Sequence, residues 1–193
     1  MKPHSRALLP LLLTTLAATA LLLTGCGAPT TRGIVGSTPL QLDPEDWNGH
    51  WRSDDGSYTI RVADAENGIL EVVQVGESEK ALHVSVNHLY LREENHAILF
   101  NLNDDESGSA SYIFGRMVRK NDAAVLWTAR TESMERLIAR QMITGVVKVQ
   151  DKTREVTITG GYENLARQLA TEEGWLMLEL GDPITLLREH KGL

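Results

Sequence analysis

Six histidines, one cysteine and a scatter of carboxylates are the residues of this 193-residue chain best suited to metal or acid–base chemistry. A metal site needs three or four such groups converging at ligand spacing. His83, His88 and His96 fall in one strand–turn–strand stretch. Strand alternation sends His83 and His88 to opposite faces, and no His-Glu-x-x-His accompanies them. Asp104-Asp105-Glu106-Ser107-Gly108 lacks the alternating oxygen ligands and distal Glu of a calcium loop, so it reads as a solvated loop. A nucleophilic serine needs a base and a shaped turn. The chain contains no Gly-x-Ser-x-Gly, no Ser-x-x-Lys and no Gly-rich phosphate loop. The expectation is therefore no catalytic residue, no metal and no cofactor.

That leaves Cys26, whose meaning lies in its surroundings. Lys2, His4 and Arg6 precede an apolar run from Ala7 to Leu23, broken by Pro10 and three threonines. A basic start, an apolar middle and a small-residue cut site are the marks of a secretory signal. A membrane-spanning helix needs about 20 apolar residues. Pro10 falls early, and Gly25 and Gly27 close the run, so the segment is short for a permanent span.

Leu23-Thr24-Gly25-Cys26 resembles the lipobox of bacterial lipoproteins. The resemblance implies that residues 1–25 are removed, that the Cys26 sulfur receives a diacylglycerol, and that its new amino group is acylated. Two or three acyl chains anchor a protein stably where one does not. In enteric-type sorting an Asp after the Cys retains the protein at the inner membrane. Gly27 at that place implies the outer membrane, periplasmic side.

Composition bounds what remains. Removing 25 residues leaves 168 and takes away Lys2 and Arg6 but no acid, which moves the formal charge from −7 to −9. One domain with a real core fits that length. An acidic domain argues against nucleic acid and against a basic patch on anionic lipid. With its one Cys acylated the mature chain can form no disulfide, so packing alone must stabilise it.

Residues 26–42 are rich in Gly, Thr and Pro and read as the lipidated Cys followed by a flexible tether. A single β-rich domain is expected over 43–193. Tyr58, Ile60 and Val62 alternate with polar neighbours; Asn67-Gly68 is a hairpin signal; Ile69 to Val75 returns. Leu82, Val84 and Val86 alternate through Tyr90, then Ala97 to Leu102, Tyr112 to Val118 and Val125 to Thr128 follow as strands. Met134, Leu137, Ile138 and Met142 change the period to that of a helix. A hairpin around Asp151-Lys152 and a second short helix over Tyr162 to Leu169 come next. Trp175 to Leu180 and Ile184 to Arg188 read as the last two strands. The architecture predicted is mainly β: an antiparallel meander or lipocalin-like barrel with two short helices.

Gly49-His50-Trp51 on the first strand is similar to the Gly-x-Trp of lipocalins. That resemblance implies a barrel floor closed by Trp51, with a late basic residue packed over it, a role Arg188 could fill. Trp51 and Trp127, with the other Trp and Tyr residues, either line a ligand cavity or fill a core. Much of the mature chain also looks like a recurrent type of small bacterial lipoprotein without a characterised activity. Two functions follow as expectations. One is an envelope accessory module that contacts an unidentified envelope protein. The other is a binder of a small apolar ligand, such as a lipid or fatty acid, inside the barrel.

Overall fold

Alternating apolar and polar residues from Trp51 to Leu91 require a sheet with one covered and one solvated face. In the computed structural model that sheet closes on itself. The structure describes residues 28–78, 81–103, 110–150 and 153–189, without the side chains of 77, 78, 81–83 and 150.

The chain begins with two short strands, β1 (Thr30–Thr31) and β2 (Thr38–Pro39), and one helical turn, α1 (Pro44–Trp47). A meander follows: β3 (Gly49–Ser53), β4 (Gly56–Asp64), β5 (Ile69–Ser78), β6 (Ala81–Glu94), β7 (Ala97–Asn103), β8 (Tyr112–Lys120) and β9 (Ala123–Thr128). An excursion then carries α2 (Thr131–Ala139), β10 (Thr144–Gln150), β11 (Thr153–Gly160) and α3 (Tyr162–Ala170) before β12 (Ile184–Glu189).

Strands β3 to β9 pair antiparallel in sequence order, and β12 inserts between β9 and β3. Eight strands thereby close a ring, and the predicted mainly-β antiparallel barrel is the fold observed. Closure removes the unpaired edges that an open meander would present.

The barrel interior holds Trp51, Tyr58, Ile60, Leu70, Leu91, Phe100 and Met117, each 2% exposed or less, as parts of one cluster. Each such side chain withdrawn from water contributes about 1.5–3 kcal/mol before its entropy cost is counted. A second core lies outside the barrel wall. Leu99 and Phe114 point outward from β7 and β8 and meet Met134 and Leu137 of α2, Val156 and Ile158 of β11, and Leu165 and Leu169 of α3. Because β7 is covered on both sides, its run Ala97–Leu102 is almost continuously apolar.

The two cores diverge at a fork in β8. Tyr112 and Ile113 pair with β1, whereas Gly115 to Lys120 pair with β9. At the fork β1 takes β11 as a parallel partner, and β10 follows on the outside.

Two expectations from sequence need correction. Residues 30–42 are no tether. They form a strap across the barrel wall, held by β1, by β2 on β6, and by buried Val35 and Leu42. Linker-like composition misleads here because glycine serves close approach as well as flexibility. A Cβ on Gly36, where φ is 99°, would sit 2.6 Å from Arg92 Cβ, and one on Gly33 would sit 2.6 Å from the Tyr162 ring. The stretch read as a strand from Trp175 to Leu180 is mostly a 3-10 turn, Glu173–Met177, with only Leu178 bridged to Ala129. The two helices fall where the 3.6-residue period placed them, and α1 is additional.

Candidate functional site: the barrel floor and the exposed strand edges

Chain order explains the floor. Asp43 caps α1 by accepting from the Glu45 backbone N–H at 2.9 Å, and Pro44 opens the turn. Trp47 then lies across the barrel end and stacks on Trp51, ring centroids 6.1 Å apart at 28°. The Trp51 indole is fully buried, and its N–H donates to the Trp47 carbonyl at 3.0 Å. Arg188 stands directly opposite Trp51 on the β12–β3 ladder. Its guanidinium donates to the carbonyls of Glu45 at 2.8 Å and Asn48 at 2.6 Å, tying the last strand to the turn before the first barrel strand.

The cation over an aromatic ring at this end is Arg119, 4.8 Å above Trp47. Arg119 also pairs with Asp46 at 3.1 Å. That hydrogen bond and charge hold the Asp46 carboxyl below its ordinary value near 3.8. Burial pushes the Tyr58 phenol up. These groups lock the floor.

Trp127, considered for the cavity or floor, faces the other way. The inward residues of β9 are Ala124 and Leu126; Trp127 joins the outer core and meets Trp175 edge-on at 5.1 Å. Arg116 covers Trp175 at 4.2 Å. The parity of β9 decides this, and an apolar strand end with Leu126 and Trp127 adjacent does not reveal its parity. Cys26, the Asp104–Ser109 loop and the side chain of His83 lie outside what the structure describes. His88 is cross-strand from Glu71, and His96 sits in an exposed turn with φ of 64°. Among the described residues no three His, Cys, Asp or Glu side chains are grouped to hold a metal ion, and no helix is long and apolar enough to cross a membrane.

Two strand edges carry apolar side chains into water. Val75, Val84 and Val86 are 60%, 56% and 46% exposed. Val84 is paired with Val75, and Val86 with Val73. Leu89 and Leu91 face the barrel core, so parity puts Val84 and Val86 on the outer face. The alternation of β6 was legible in the sequence, but which of its faces the barrel covers was not. The pairings of β5 and β6 also extend past their neighbours: β4 reaches only to Gln74, and β7 only to Leu89. The second edge is β10, with Val146, Val147 and Val149 exposed.

No protein-family model, curated protein or solved structure matches this chain.

Proposed function

We propose that the chain is a lipid-anchored accessory module of the bacterial cell envelope, acylated at Cys26, held at the periplasmic side of the outer membrane and contacting an envelope protein through β5 and β6. The observation that carries the contact is the exposed Val75–Val84 pair with neighbouring Val86, which faces water where β4 no longer flanks β5 and β7 does not yet flank β6. Soluble chains rarely leave such a ladder uncovered, and an extended partner segment pairs readily with it. The anchor is supported by Leu23-Thr24-Gly25-Cys26 at the end of the apolar run.

A carrier of a small apolar ligand inside the barrel is the competing reading. The interior speaks against it: Trp51, Phe100, Met117, Ile60, Leu70 and Leu91 occupy the core where such a ligand would lie. The module reading assigns no reaction to the chain.

Two measurements test it. Cys26→Ala should leave the precursor uncleaved and without acyl mass; unchanged processing and membrane fractionation would refute the anchor. A photo-crosslinking residue at Val84 should give a discrete protein adduct in cells that is absent when the same residue replaces Ala63. Equal or no adducts at the two positions would refute the contact. Native mass spectrometry showing a bound lipid in the purified chain would favour the carrier instead.

A further inference from the structure

Strand β10 is the outermost strand of the sheet, paired only with β11 among the described residues. Its Val146, Val147 and Val149 are 50%, 38% and 67% exposed. Val147 is opposite Val156 and Val149 opposite Arg154, on the side turned to α2. Val146 is opposite Thr157, on the other side. An edge strand apolar on both faces needs a cover.

The course of the chain says what that cover is. Strand β1 runs parallel to β11, Thr30 opposite Thr157. The chain therefore enters β1 from the side where β10 and β11 are joined. Pro29 is already buried, so the described body reaches to within three residues of Cys26. Cys26 is two residues before Ala28, and at 3.8 Å per step it lies within about 8 Å of it. Val146 is two strands from Thr30, about 10 Å across the sheet. With the two further steps from Ala28 to Thr30, an acyl chain on Cys26 starts within about 25 Å of Val146. Lys148 is the one charged side chain of β10 and stands opposite Glu155 of β11. An acidic domain gains nothing from anionic headgroups, which makes the contact apolar.

We propose that the β10 edge is a lipid-contact surface, and that the domain rests on the membrane through it instead of hanging from a tether. The proposal rests on the anchor reading above. It is tested on the full acylated chain in vesicles of phosphatidylethanolamine and phosphatidylglycerol. Val149→Cys and Ala63→Cys each supply a single free thiol, because the native cysteine is acylated. Ala63 is exposed on β4, which is across the barrel ring from β8. A water-soluble maleimide should label position 149 about tenfold more slowly than position 63 in vesicles, and equally fast in detergent. The difference should survive added salt.

Equal labelling in vesicles, with acyl mass present on the N-terminal peptide, overturns the lipid contact and leaves the anchor standing. Absence of acyl mass overturns both. Slow labelling at 149 that persists in detergent together with a doubled sedimentation mass assigns the edge to a second copy and overturns the lipid contact.

Discussion

Asn101 holds Val35 by both of its backbone polar groups. The Asn101 Oδ1 accepts from the Val35 N–H at 2.7 Å, and Nδ2 donates to the Val35 carbonyl at 3.0 Å. Both residues are fully buried. One side chain thus replaces a strand partner where the strap crosses β7, and it accounts for a buried amide inside an apolar run. Asn101→Leu keeps the branched shape but leaves a buried N–H and carbonyl unpaired. Each such orphan costs about 1–3 kcal/mol, so the variant should lose about 2–6 kcal/mol in urea denaturation. A loss below the error of the fit would show that the strap adds nothing to the barrel.

Gly115 marks the fork in β8. A Cβ there would meet the Trp127 carbonyl oxygen, and would come within 2.9 Å of the Phe100 ring. Gly115→Val should destabilise by about 2–4 kcal/mol, because neither a ladder carbonyl nor a core ring can yield without moving the wall. An unchanged denaturation midpoint would mean that the β8–β9 ladder opens easily at this point.

Arg188→Ala removes both bonds from the guanidinium to the carbonyls of Glu45 and Asn48. The expected loss is about 1–3 kcal/mol, with a weaker near-ultraviolet signal from the Trp47–Trp51 pair. Arg188→Lys should restore only part, since an ammonium lacks the planar fork that reaches two acceptors at once. Full recovery with Lys would assign the role to charge alone.

Acid should weaken the floor and the β4–β5 ladder. Asp46 is held below its ordinary value by the hydrogen bond and charge of Arg119, and Glu71 by Arg61. A carboxyl depressed in the folded state stabilises above its unfolded value and loses that contribution as pH falls through the folded one. Stability should therefore decline below about pH 4. Arg119→Met, which keeps apolar cover over Trp47, should flatten part of that decline. An identical pH profile for the variant would show that the Asp46 pair is fully screened.

What the sequence determined by itself is local. Period-2 alternation identified most strands, the 3.6-residue period identified α2 and α3, and the run ending in Leu23-Thr24-Gly25-Cys26 marked the one cysteine for an expected anchor. Those signals depend on neighbours a few residues apart, which the chain itself keeps close. Tertiary structure alone decided which face of each strand is covered. It turned Trp127 outward and exposed Val84 and Val86, because inward and outward parity depend on how the ring closes through β12. It also made residues 30–42 a strap, because glycine composition cannot distinguish a free linker from a chain pressed against Arg92 and Tyr162.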